Sequence, residues 1–151
     1  MDSLLLRLSP PDNDRLSRGD TFVKQVGGAE LNVAVGASLL GLRTGVISKL
    51  PSHDIGSFMK GKIRSFGVSD DFFMYDDSPS ARVGIYYYEN GAYPRKPKVI
   101  YDRMNSSFFS LNIDEIPKEV YTASKCFHTT GITLALSPQI RETTIEMIKA
   151  F

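Results

Sequence analysis

Short β-like runs alternate with helical patterns along almost the whole chain, and no other feature of the sequence restricts its fold so tightly. Leu4 to Leu8 reads as a strand, ended by the turn cluster Ser9-Pro10-Pro11-Asp12-Asn13. A short run at Phe22 to Val26 stops at Gly27-Gly28. From Ala29 to Leu40 the residues are small and apolar nearly all round, which predicts a buried helix, because a surface helix shows one polar face. Gly41 is expected to close it. Thr44 to Leu50 lacks clear alternation, the pattern of a strand buried on both faces. Asp54 is the expected N-cap of a second helix, whose apolar positions Ile55, Phe58, Met59, Ile63 and Phe66 recur at three- and four-residue steps. Phe72 to Tyr75 is a further short strand.

The next segment changes character. Arg82 to Tyr88 and Lys98 to Arg103 are β-rich runs joined by a Gly- and Pro-containing stretch, the signature of a long-looped hairpin. Val83, Ile85 and Tyr87 lie on one face, Gly84, Tyr86 and Tyr88 on the other, so each face is expected to cover something. Lys125 to His128 reads as a short buried strand, and Ser137-Pro138 starts a last helix with Ile140, Thr144, Met147, Ile148 and Phe151 as its buried stripe. Alternating strands and helices imply an α/β fold with a mainly parallel sheet, here of about three or four strands. Both ends look cut: the first strand begins within three residues of Met1, and the last amphipathic helix stops on an apolar residue without a terminating Gly, Asn or Pro.

Composition removes several classes of function. Eighteen Lys and Arg against 17 Asp and Glu in 151 residues leave a net charge of +1, without the concentrated basic face a nucleic-acid binder needs. Cys126 is the single cysteine, so no internal disulfide forms, and a reducing cytoplasm is the expected compartment. The apolar start Leu4-Leu5-Leu6 is broken by Arg7, too short for a signal peptide or a membrane span. Cys126 and His128 supply only two of the three or four ligands a zinc site requires, and no metal site is expected.

Gly27 and Gly28 precede the apolar helix, and Asn32 lies on its first turn. Glycines there let backbone approach a ligand, and a helix N-terminus offers unpaired N–H groups. An alternative is a tight turn with a structural Asn. Likewise, Tyr86, Tyr87, Tyr88 and Tyr101 could be strand aromatics packing across a sheet.

The run Gly27-Gly28-Ala29-Glu30-Leu31-Asn32-Val33-Ala34, with Leu39-Leu40-Gly41, Gly45-Val46-Ile47-Ser48-Lys49-Leu50 and Asp54-Ile55-Gly56, resembles the first signature of the PfkB carbohydrate kinases, which have the ribokinase-like fold. Leu6 to Pro11, Gly84-Ile85-Tyr86-Tyr87, Val99 to Arg103 and Gly131 to Ser137 resemble the 2-keto-3-deoxygluconate kinase branch of that family. The resemblance implies a partial parallel sheet with flanking helices plus a small β lid hairpin. Residues 1–151 would be the N-terminal part of one such domain, with lid segments at about 10–26 and 82–103 and the C-terminal ATP-binding half absent. It also implies that Gly27, Gly28 and Asn32 contact substrate oxygens, that Tyr86, Tyr101 and Arg103 close over a small-molecule sugar acid with Arg103 facing its carboxylate, and that Ile132 packs nearby. The complete enzyme would use ATP and Mg²⁺ and could form a homo-oligomer through the lid. The Gly-Ala-Gly-Asp type motif that carries the family's catalytic Asp is missing, so no catalytic residue is expected in this chain. The alternative is a catalytically inactive product acting at most as a sugar-binding or lid-dimerisation module.

Overall fold

The computed structural model describes residues 1–151. Its largest sheet has the order β2-β1-β7-β8, built from β1 (Leu5–Ser9), β2 (Val23–Gly27), β7 (Gly84–Glu89) and β8 (Lys98–Asp102). Pairing is antiparallel for β1 with β2, parallel for β1 with β7 and antiparallel for β7 with β8. Alternation explains the placement of β1: Leu4, Leu6 and Leu8 point to the core, while Leu5, Arg7 and Ser9 point to the other face. The first predicted strand therefore belongs to this mixed sheet and not to the parallel core, so the expected small hairpin is part of a four-stranded layer.

The parallel core is made of short pairs, β3 (Thr44–Gly45) with β5 (Val68–Ser69) and β4 (Ser48–Pro51) with β6 (Phe73–Asp76). Met1 to Leu4 runs beside it: Asp2 N–H donates to Ile47 O at 3.1 Å, and Ser48 Oγ donates to Asp2 O at 2.8 Å. Thr44 to Leu50, expected as one strand, is split into β3 and β4, and within it Val46 to Leu50 is buried on both faces, as the lack of alternation predicts. Val46 and Leu50 join one hydrophobic cluster, with Leu4, Leu6, Leu31, Met59 and Ile63, and Ile47 joins a second, with Phe108, Leu111, Val120, Ile140 and Met147. The first cluster lies under α1 (Ala29–Leu39) and α2 (Asp54–Arg64), the second under α5 (Pro138–Ala150), giving three layers. Two short helices, α3 (Glu119–Ala123) and α4 (Gly131–Leu134), complete the second layer.

Several local expectations hold in detail. Gly41 ends α1 at φ +87°, a conformation open to glycine, and Leu42 N–H returns to Ala37 O. Ser137 caps α5 by accepting Ile140 N–H at 3.1 Å.

Others are corrected. The α2 N-cap is His53, whose Nδ1 accepts Ile55 N–H at 3.2 Å, and Asp54 is the first helical residue, where its charge suits the helix dipole. Helix α1 buries Glu30 and Leu31 but leaves Val33, Leu39 and Leu40 exposed, so it is covered on one side only. On α5, Ile148 and Phe151 are exposed, and Thr143 joins Ile140, Thr144 and Met147 in the buried stripe. Lys125 to His128 is not a strand: it pairs with no neighbouring ladder, and it is tied to the core by the Met1 amine donating to His128 O at 2.9 Å and by Phe127 packing on the second cluster. Strand β8 is exposed along its length, so the hairpin covers the core through β7 alone.

Candidate functional site

Register places the candidate residues. Gln25 pairs with Arg7, Arg7 with Tyr86, and Tyr86 with Tyr101, so these four form one row across the sheet, on the face turned away from the core. The Tyr86 and Tyr101 rings lie 5.9 Å apart. Arg103 is two residues beyond Tyr101 and so on the same face, with its guanidinium 5.1 Å from the Tyr101 ring centroid. Tyr101 is 60% exposed, whereas Tyr86 and Arg103 are half-buried. Neither Arg7 nor Arg103 has a carboxylate partner; the ion pairs of the chain involve Lys49, Lys60, Arg64, Arg82 and Arg95. Two guanidiniums without counter-charge on one aromatic face make a surface suited to an anion.

The two glycines receive side chains of this chain itself. A Cβ on Gly27 would sit 2.6 Å from the Tyr86 hydroxyl, so the missing side chain lets that hydroxyl lie over β2. A Cβ on Gly28 would sit 2.0 Å from Asp2 Oδ2, and the same oxygen accepts Leu31 N–H at 2.7 Å. An N–H at the start of α1 that the sequence left for a ligand is thus occupied by Asp2. Burial, with the neighbouring Glu30 charge adding to it, pushes the Asp2 carboxyl up to about 8.

Glu30 ties α1 to α4. Its Oε1 accepts Thr130 N–H and Thr130 Oγ1–H, both at 2.9 Å, and Thr133 Oγ1–H at 2.6 Å. Burial alone would raise this carboxyl, but hydrogen bonds from Thr133, Asp2 and Thr130 outweigh it and hold Glu30 below the usual carboxylate range. Through this tie Asn32, exposed on the first turn of α1, and Ile132, 51% exposed at the start of α4, stand on neighbouring helix ends.

The structure therefore brings Gly27, Tyr86, Tyr101 and Arg103 into one cluster and leaves Gly28, Asn32 and Ile132 around the α1 and α4 termini, the two groups joined through the Gly27-Gly28 link. Three residues escaped the sequence reading: Asp2, Arg7 and Glu30. For two of them a signal existed, namely a charge inside an apolar run, Arg7 in Leu4 to Leu8 and Glu30 in Ala29 to Leu40.

Neither a metal-ligand cluster nor a phosphate-binding motif lies among these residues. No group of three or more His, Cys, Asp or Glu stands close enough to hold an ion, and neither a Gly-Ala-Gly-Asp motif nor a G-x-x-x-x-G-K-[ST] loop is in the sequence. Two shallow grooves, of about 300 and 340 Å³, share no lining residue with the aromatic face. No helix is long and apolar enough to cross a membrane.

A three-layer α/β core carrying a β layer on one side is the ribokinase-like fold of known sugar kinases. The 2-dehydro-3-deoxygluconokinase of Thermotoga maritima superposes with a TM-score of 0.91 at 34% identity, over 97% of this chain and 44% of that one. Residues 1–150 match the pfkB family carbohydrate kinases, and the chain belongs to that family. A 2-dehydro-3-deoxygalactonokinase of Haloferax volcanii is 39% identical over 145 residues, 96% of this chain and 45% of that protein. A sugar kinase of Pyrococcus horikoshii solved in complex with ATP matches with a TM-score of 0.83 at 26% identity, over 98% of this chain and 47% of that one. The chain thus spans slightly under half the length of these relatives.

Proposed function

We propose that this chain forms the sugar-acid-binding part of a 2-keto-3-deoxy sugar-acid kinase, with the four-stranded sheet as its lid. The observation that carries the reading is the cluster of Tyr86, Tyr101 and Arg103 on one sheet face with no carboxylate to neutralise it. Arg103 holds the carboxylate of the acid through its planar fork. Tyr86 and Tyr101 supply an apolar wall with hydroxyl tips and keep water from the sugar. Asn32 and the backbone at Gly27 and Gly28 meet sugar hydroxyls, and Ile132 packs beside them. The relatives' names support a 2-keto-3-deoxy acid and include both gluconate and galactonate forms.

In the complete enzyme ATP with Mg²⁺ supplies the phosphoryl group. The residues of this chain do not fit either one, so the 151-residue chain is expected to bind the acid without turning it over. The test is a chimera that appends the C-terminal remainder of the Haloferax relative. It should phosphorylate 2-keto-3-deoxygluconate or its galactonate epimer, and Arg103→Met should lower kcat/KM by about 10- to 100-fold. A chimera that phosphorylates neutral hexoses equally well, or an Arg103→Met variant as active as the parent, sinks the assignment.

A further inference from the structure

The middle of the aromatic face is a guanidinium outside the residues that the resemblance assigns to the sugar site. Arg7 sits on the central strand β1, flanked in register by Gln25 on β2 and Tyr86 on β7. Its Nη2 donates to Gln25 Oε1, and its guanidinium carbon lies 5.7 Å from the Tyr88 ring centroid. Its Nε is buried without a hydrogen-bond partner, and no carboxylate pairs with the charge. A half-buried cation of this kind is costly unless something nearby profits from its field. The phenol of Tyr86, held over Gly27, is next in the row.

We propose that Arg7 is a positioning residue for the aromatic face, fixing the Tyr86 hydroxyl over Gly27 and strengthening it as a hydrogen-bond donor to an anionic ligand. The anionic ligand rests on the sugar-acid reading above; the hold of Arg7 on Tyr86 does not. Burial raises the Tyr86 phenol above its ordinary value, and the charge and hydrogen bond of Arg7 pull against that rise. The other groups facing the phenol are Tyr101 from β8 and Tyr88 on its own strand, both of which add to the rise.

The test follows the tyrosine ring carbons of the full chain by NMR as pH is raised, in the parent, Arg7→Met and Arg7→Lys. Tyr86 should titrate at higher pH in Arg7→Met than in the parent, and close to the parent in Arg7→Lys. Tyr121, packed on α5 with its hydroxyl donating to Met147 Sδ, should not move and reports that each variant is folded. Affinity for 2-keto-3-deoxygluconate, measured on the same samples, should fall about tenfold in Arg7→Met and be largely restored in Arg7→Lys. An unshifted Tyr86 titration in a folded Arg7→Met overturns the proposal, as does a shifted titration with unchanged affinity. If all three proteins ignore the acid while Tyr86 shifts as expected, the sugar-acid reading falls and the coupling of Arg7 to Tyr86 stands. Should Arg7→Met fail to fold, Arg7→Gln replaces it under the same criteria.

Discussion

Asp2 is a carboxyl held protonated by its surroundings, and this has a definite sign in stability. In the unfolded chain it ionises near 3.8, and in the folded chain near 8. The folded state therefore keeps a proton that the unfolded state releases, so Asp2 makes stability fall as pH rises through this window, with a limiting slope of about 1.4 kcal/mol per pH unit. Glu30, held low, acts oppositely, but its contribution is lost only as pH falls below the unfolded value of 4.5. The buried Met1 amine, held below 8.0, raises stability with pH in part of the same window, so the informative quantity is a difference between proteins. Asp2→Asn keeps a donor towards Glu30 and removes the titration. Thermal melts from pH 5 to 9 should show the variant gaining on the parent as pH rises. Parallel curves would mean that Asp2 is ionised in the fold. Asp2 was not legible in the sequence, because nothing in Met1 to Leu4 says that Gly28 and the Leu31 N–H will lie against it.

At the level of elements, α2 contains two glycines in opposite circumstances. A Cβ on Gly56 would lie 1.9 Å from Pro51 O, a backbone atom at the end of β4, whereas a Cβ on Gly61 meets nothing within 4 Å. Gly56→Ala should cost about 1–3 kcal/mol by overpacking the α2–β4 contact. Gly61→Ala should gain about 0.5–1 kcal/mol by restricting the unfolded chain. Urea unfolding of both variants decides it, and equal midpoints would contradict the tight seat of α2 on Pro51. Much at this scale was legible. Helix α2 follows from its apolar spacing, the end of α1 from Gly41, the start of α5 from Ser137-Pro138, and the β7–β8 hairpin from its alternation. The errors came where periodicity reports hydrophobicity and not neighbours. The apolar residues of α1 read as buried all round, and Lys125 to His128 read as a strand, although burial and pairing are decided by elements far away in sequence. For the site, the sequence resemblance indicated Tyr86, Tyr101 and Arg103, but the shared row with Arg7 needed the register of three strand pairs.

For the whole molecule, apolar surface is gathered on α1 and its exit. Leu39 and Leu40 are 80% and 85% exposed, and Leu42 follows at 63%. A contiguous group of this kind favours association, and β8 adds an exposed strand edge. The isolated chain is expected to self-associate, and Leu39→Glu with Leu40→Glu should shift it towards monomer in sedimentation velocity without lowering its melting temperature. A parent that is already monomeric at micromolar concentration contradicts this.

The clasp on Glu30 also sets an order of events in time. Its partners Thr130 and Thr133 lie 100 and 103 residues further along the chain. At about 5–20 residues per second, roughly 5–20 s of synthesis separate the carboxylate from the groups that neutralise its cost of burial. Until then the first helix is assembled around a charge it cannot yet afford to bury, and its N-terminal turn becomes secure only after the chain has been made as far as Thr133.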